Sequence, residues 1–238
     1  MSGFRFNGKH INEEFPNLKL VERSTPPPED IPIKDSVIGM QGDYDFTIAL
    51  FGERLYKNRP LTFVFNGKEL NDSNKTFNKR MLENWLLSGS YMPLYDDNEP
   101  LYHYMARCVG VELESDDGIL KAPYTITFDA YPFKIKEAVE GSPYWDDYDI
   151  SDYYQENEFL VNGSKTIEFM NMGSAGIAPK IIASSTMVIK KGNMTVNVPA
   201  GSSRFEDFRF EIGMNTFSVT GNGTIKFEWH KEVIQCIE

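Results

Sequence analysis

Residues 123–133, Pro-Tyr-Thr-Ile-Thr-Phe-Asp-Ala-Tyr-Pro-Phe, alternate in character at almost every step. Successive side chains of a β-strand point to opposite faces, so Thr125, Thr127, Asp129 and Tyr131 share one face and Ile126, Phe128 and Ala130 the other. One face suits water and the other a core. Immediately upstream, residues 102–114 (YHYMARCVGVELE) are rich in aromatic and β-branched residues, and the acidic Ser115-Asp-Asp-Gly118 is a turn signal between the two runs. The pair reads as a long antiparallel hairpin. Residues 44–50 (YDFTIAL) and 61–65 (LTFVF) read as further strands by the same two-residue period.

One segment breaks the pattern. Residues 73–88 place Phe77, Met81, Leu82, Trp85 and Leu86 at three-, four- and five-residue steps, the mark of an amphipathic helix. Ser73 or Asn74 is placed to cap its start and Gly89 to end it. Lys75, Lys79, Arg80, Glu83 and Asn84 then face water, and Trp85 is expected to be buried against a sheet. The Pro26–Pro28 run with Pro32 is a stiff extended spacer.

After Phe133 the composition shifts. Residues 137–158 are acidic, rich in tyrosine and poor in branched aliphatics, which reads as a linker or exposed loop. From Phe159 short strands return, with turn signals at Asn162-Gly163, Gly173–Gly176, Gly192-Asn193, Gly201–Ser203 and Gly221–Gly223. Such spacing suggests a β-sandwich. Phe227 and Trp229 share one face there, an inward one. The fold expected is mainly β, with two sandwich domains: an N-terminal one at 1–135 with one helix and a long hairpin, the acidic segment 136–158, and a C-terminal one at 159–238.

Composition excludes several functions. A formal net charge of -11 repels phosphate backbones, and no Lys/Arg stripe with interleaved aromatics appears. No apolar run approaches the ~20 residues of a membrane-spanning helix, and the opening MSGFRFNGKHINEEF lacks the layout of a secretory signal. Cys108 and Cys236 are therefore expected to be reduced thiols, and the five Asn-x-Ser/Thr sites to act as Asn turns. The three histidines, His10, His103 and His230, fall in no metal spacing. No nucleophile elbow, phosphate loop or dinucleotide fingerprint is present. The acid clusters Asp96-Asp97, Asp116-Asp117 and Asp146–Asp149 sit among loop formers, with adjacent carboxylates pointing apart, whereas acid–base catalysis needs two carboxyls converging on a cleft. Calcium is the sharper reading of Asp146–Asp152, but that loop lacks the glycine and closing glutamate of an EF-hand. No catalytic residue, cofactor or metal site is expected.

Four blocks in order carry a resemblance. Phe4-Arg5-Phe6-Asn7-Gly8-Lys9-His10 looks like the first strand and turn of siphophage distal tail (Dit) proteins. Residues 38–46 (IGMQGDYDF) followed by 51–59 (FGERLYKNR) are similar to that family's G-x-x-G-x-(Y)-D and YGER-x-Y-x-x-R blocks. Leu82-Glu-Asn-Trp-Leu86, then Pro93-Leu-Tyr-Asp-Asp97 and Tyr102-His-Tyr-Met-Ala-Arg107, resemble its helix, aspartate turn and following strand. The likeness covers residues 1–135 well and the remainder loosely.

The resemblance implies a non-enzymatic structural protein of the virion's tail tip, assembled in the host bacterial cytoplasm. It implies a hexameric ring between the tail tube and the tip or baseplate, with the tube protein, tape measure protein and tail-associated or receptor-binding proteins as partners, DNA passing through the lumen unbound, and no membrane insertion. The second half would be the family's galectin-like, jelly-roll-type sandwich, without a sugar-binding signature. Gly39 and Gly42 would permit positive φ or close backbone approach. Asp45, Arg54, Arg59 and Trp85 complete the matched motif, and the two arginines could pair with Asp43, Asp45 and Glu53 within a subunit or across a ring contact, or be plain surface charges. Two rival readings are a carbohydrate-binding or sugar-degrading accessory protein and another tail or bacteriocin subunit, such as a tube protein.

Overall fold

The computed structural model describes residues 2–36, 38, 39, 41–67, 72–114, 123–147 and 154–234. The chain is mainly β, of the β-sandwich class, and divides into two compact units, Met1–Lys134 and Ile135–Glu238. The expected 115–118 turn, Asp116, Asp117, Cys236 and most of the Asp146–Asp152 loop lie outside the described residues.

In the first unit the elements run β1 (Phe4–Phe6), β2 (Lys9–His10), α1 (Ile11–Glu14), β3 (Lys19–Ser24), β4 (Lys34–Asp35), β5 (Tyr44–Asp45), α2 (Thr47–Phe51), β6 (Arg59–Asn66), α3 (Asp72–Leu86), β7 (Met92–Asp96), β8 (Tyr102–Leu113) and β9 (Pro123–Lys136). The main sheet has the order β2-β1-β7-β8-β9-β6-β3, and β4 and β5 pair with each other in a sheet of their own. Strand β9 lies between β8 and β6, with Phe63 opposite Ile126 and Leu61 opposite Phe128. Its alternation works as the sequence reads: Ile126, Phe128 and Ala130 are fully buried, while Thr125, Thr127, Asp129 and Tyr131 face outward. The inward face packs Phe4, Phe6, Phe63 and Phe128 ring against ring, at centroid distances of 5.0–6.1 Å. Ile135 and Lys136 belong to the second unit, where the Lys136 N–H donates to the Lys231 carbonyl at 2.9 Å.

Two expectations for this unit fail. Residues 44–50 are not one strand: after Tyr44–Asp45 the chain turns into helix α2, because Asp45 Oδ1 accepts the Thr47 N–H at 3.0 Å and starts the turn. Helix α3 exists, but it starts at Asp72, ahead of Ser73 and Asn74, and only part of its apolar set is buried. Leu82 and Leu86 are fully buried, and Trp85 is half-buried between Phe4 and Phe15, with ring centroids at 6.2 and 6.1 Å. Phe77 and Met81 stay exposed. At about 100° per residue, Phe77 lies roughly 140° around the helix from Leu82, so one docked face cannot cover both. Gly89 follows the helix without the positive φ of a left-handed cap.

The second unit contains β10 (Glu158–Asn171), β11 (Lys180–Ala183), β12 (Met187–Lys191), β13 (Met194–Val198), β14 (Gly201–Arg204), β15 (Gly213–Glu228) and β16 (Glu232–Val233). Strand β15 organises it. It pairs with β10 from Glu158↔Lys226 to Asn171↔Gly213, and along its other edge with β12 at 218–220 and β11 at 225–228. Asn162-Gly163 and Gly221–Gly223 are therefore not turns, as their composition suggested. They face each other in mid-strand, Asn162↔Asn222 and Gly163↔Gly221. Gly221 is needed there for space: a Cβ on it would meet Met187 Cγ at 2.8 Å, at a φ of +151° that L side chains rarely adopt. Gly192-Asn193 is a true two-residue turn, with Lys191 paired to Met194.

Phe169 is the centre of the core, 1% exposed, with the rings of Phe159, Phe210, Phe217, Phe227 and Trp229 at 4.8–5.9 Å. Phe227 and Trp229 do point inward. The described ends of the acidic segment, 136–147 and 154–158, are stitched to this unit. Glu140 is buried with an ion pair to Lys136 at 3.2 Å, and the Gln155 amide bonds both backbone groups of Met170, at 3.0 and 2.9 Å.

Candidate interaction surface

Residues 29–57 form an arm at the edge of the first unit. Its base is a short ladder: Lys57 N–H to Glu29 O at 2.9 Å, Ile31 N–H to Leu55 O at 2.8 Å, and an antiparallel bridge between Asp30 and Tyr56. Lys57 and Glu29 add an exposed ion pair at 3.1 Å, which contributes little in water. Further out, β4 and β5 pair through Lys34↔Asp45 and Asp35↔Tyr44. Gly39 and Gly42 lie between these strands at φ of +90° and +84°.

Thr47 holds the outer part together. Its hydroxyl accepts the Ile33 N–H at 2.7 Å, and its own N–H goes to Asp45. Hydrogen bonds from Thr47 hold the Asp45 carboxyl below the ordinary aspartate range, with smaller help from the charges of Lys34 and Arg54. Gly52, at a left-handed φ of +76°, ends α2 and donates its N–H to Ile48 O.

Among its described residues the arm buries almost none of its apolar side chains. Thr47 is buried, yet Tyr44, Phe46, Ile48, Leu50 and Phe51 are between 42% and 64% exposed. A two-stranded ribbon of this size has little stability of its own, and a contiguous apolar set on such an element marks a contact surface. A second, separate apolar patch lies on the outer side of α3, where Phe77 and Met81 are exposed.

The motif arginines part company. Arg54 is exposed on the arm, whereas Arg59, at the start of β6, is 1% exposed. The Arg59 guanidinium lies 4.8 Å from the centre of the Tyr104 ring and donates to Pro26 O at 3.4 Å. Lys134 also approaches the Tyr104 ring, at 5.7 Å, and is ion-paired to Glu99. Arg59 is therefore an interior residue and not a surface charge. Its long apolar stem and flat head let it fill a strand position against an aromatic.

The Asp96-Asp97 pair does not converge on one site. Asp96 binds Arg23 at 2.6 Å and accepts the Asn98 N–H, while its neighbour Asp97 binds His10 Nε2 at 3.0 Å. Burial pushes the Asp96 carboxyl up, against the opposing pull of Asn98 and Arg23. His10 Nδ1 caps α1 by accepting the Asn12 N–H, and His230 Nδ1 lies 3.0 Å from Lys136 O. Among the described residues no three His, Cys, Asp or Glu side chains cluster as metal ligands. Burial pushes the Cys108 thiol up to about 11, so it stays protonated.

Sequence reasoning missed one polar cluster. Asp129 accepts from Tyr91 and from Asn58 Nδ2 at 3.1 Å, with Arg107 4.0 Å away and stacked over Tyr91 at 5.4 Å. The Asp129 bond pushes the Tyr91 phenol above the ordinary tyrosine value. The signal was a lone acid on a threonine-rich face. The second unit carries an open groove of about 380 Å³ lined by Tyr154, Glu156, Phe159, Glu168, Met170 and Met214.

No protein-family model and no curated protein matches the chain. Among solved structures, the Dit protein (gp 19.1) of SPP1, a paradigm of the hub adsorption apparatus in phages infecting Gram-positive hosts, superposes with a TM-score of 0.63 over 97% of this chain and 99% of that one, at 14% identity. The phage p2 baseplate in its activated conformation, solved with Sr and with Ca, aligns over 98% of both chains at 9% identity, with a TM-score of 0.40 that supports nothing further. The first likeness establishes a shared fold over nearly the whole length.

Proposed function

We propose that this chain is a distal tail protein of a long-tailed phage. It is a structural subunit of the virion, assembled in the host cytoplasm, that forms a hexameric ring joining the tail tube to the tail tip or baseplate. The observation that carries this reading is the arm: five exposed apolar side chains on a thin ribbon of a chain with net charge -11. Such an element is costly in water and gains when a neighbour covers it.

A ring needs two different patches on each subunit, so that each contact is head-to-tail and closure stops growth. The arm supplies one patch, and the outer side of α3, with Phe77 and Met81, supplies a separate apolar one. The fold shared with SPP1 Dit supports the assignment, and tail-associated or receptor-binding proteins would attach to the ring. Tube and tape measure proteins would stack on the ring. Part of the negative charge would line the lumen, so that DNA passes without binding. No step of this role calls for catalysis, a metal or a cofactor.

Imaging the purified full-length protein by electron microscopy, alone and immunolabelled on particles, tests the reading. Closed rings and label at the far end of the tail are expected. Long cylinders would make it a tube protein, and a monomer that binds a glycan array through the Tyr154 groove would make it a carbohydrate-binding accessory.

A further inference from the structure

The second unit holds a lysine and an asparagine in the arrangement that an amide cross-link requires. Lys191, the last residue of β12, is half-buried and reaches Asn215, near the start of β15. Its Nζ lies 2.8 Å from Asn215 Oδ1 and 2.6 Å from Arg209 O. Asn215 is 2% exposed, and every polar atom of its side chain is held. Oδ1 also accepts the Glu211 N–H at 2.8 Å, and Nδ2 donates to Glu211 O at 2.7 Å and Gly213 O at 3.0 Å. The core residues Phe208, Phe210 and Phe217, in sequence beside these groups, are all buried.

We infer that Lys191 and Asn215 form an intramolecular isopeptide bond between Lys191 Nζ and Asn215 Cγ. Reach is the first condition. A carbonyl bond is about 1.23 Å long, so Nζ at 2.8 Å from Oδ1 is at most about 4 Å from Cγ, close to the ~3–3.5 Å of a reacting pair. A small rotation about the last bonds of the lysine closes the remainder. The second condition is stabilisation of the oxyanion formed when the carbonyl is attacked, and the Glu211 backbone N–H already points at that oxygen. The third is a usable nucleophile. Burial moves the Lys191 ammonium toward losing its proton, with the Glu211 charge opposing this more weakly. Both hydrogen-bond acceptors of Nζ are uncharged oxygens, an amide and a peptide carbonyl, rather than a carboxylate that would hold it as a cation.

The step balances without a co-reactant. The neutral amine adds to Cγ, the Cγ–Nδ2 bond breaks, and one amine proton moves to the departing nitrogen, which leaves as ammonia. In the tetrahedral adduct both nitrogens are bonded to Cγ, and the proton passes from the entering amine to the departing Nδ2. The product ties the end of β12 to the start of β15. It forms once per chain, so it is self-modification and not turnover, and it does not depend on the tail reading.

Intact-mass spectrometry of the purified full-length protein is the test. The expected mass is lower than the sequence mass by one ammonia, and digestion should release a branched peptide joining the segments around Lys191 and Asn215. Lys191→Arg keeps the charge and the donors but cannot form the bond, and should show the full sequence mass. Asn215→Ala removes the acceptor carbon and should likewise show the full sequence mass. Wild-type protein at full sequence mass after prolonged incubation overturns the inference, whether or not either variant folds.

Discussion

Replacing Leu50 by aspartate puts the arm to a quantitative test. Leu50 sits on α2 and is 64% exposed in the isolated subunit. Full burial of a leucine stabilises by roughly 1.5–3 kcal/mol, so covering the part still in water leaves about 1–2 kcal/mol to be gained at each contact of the proposed ring. The aspartate forfeits that gain and adds the cost of desolvating a carboxylate. At about 1.4 kcal/mol per factor of ten, each contact weakens by roughly 5- to 30-fold or more. A closed ring has as many contacts as subunits, so the concentration at which rings half-form should rise by at least that factor. Mass photometry or sedimentation across a dilution series reads this midpoint. Because Leu50 is exposed in the free chain, the melting temperature of the dissociated subunit should stay within the small range of surface substitutions. Leu160→Asp, equally exposed at 70% but on the second unit, is the control and should leave the midpoint alone. An unmoved midpoint in Leu50→Asp, or an equal shift in both variants, would refute the assignment of the arm as the contact.

Other substitutions test the interior. Phe169→Ala empties the middle of five aromatic contacts and should destabilise the second unit by about 3–5 kcal/mol in chemical denaturation followed by near-ultraviolet circular dichroism. Gly221→Ala introduces a Cβ at φ +151° against Met187 and should cost about 1–3 kcal/mol, whereas Ala at a true turn would be milder; equal stability would mean that the strand relaxes freely there. Lys226 and Lys180 hold the Glu228 carboxyl below the ordinary glutamate value. The bridge therefore contributes fully above that ordinary value and is lost as pH falls through the lowered one. Melting curves of the wild type and Glu228→Gln should differ at neutral pH and converge in acid, and a constant offset down to the lowest pH would count against the bridge.

Strand β9 was legible because its period is local. Alternation over seven residues needs no knowledge of partners, and Ile126, Phe128 and Ala130 went where the alternation put them. The same holds for Leu61 and Phe63 opposite it, and for the inward placement of Phe227 and Trp229. Helix α3 was legible as a helix, but which of its apolar residues it buries was not. That depends on the angle at which the sheet receives it, and the sheet took Leu82 and Leu86 and left Phe77 and Met81. The arm was half-legible: its glycines and aromatics stood out, while the helical turn of Thr47–Phe51 rests on two single hydrogen bonds, from the Thr47 N–H to Asp45 and from the Ile33 N–H to the Thr47 hydroxyl, that periodicity cannot reveal.

The sequence by itself determined a mainly β chain, the central hairpin strands, the long helix α3 and a net acidic charge. These follow from local period and from composition, which act before any long-range contact forms. Only the tertiary structure decided that Arg59 is interior against Tyr104, that Gly163 and Gly221 face each other in mid-strand, and that Lys191 meets Asn215. Each of these is set by residues distant along the chain brought side by side in a sheet. There a buried charge, a missing Cβ or a reacting pair takes its meaning from its neighbour rather than from its own position in the sequence.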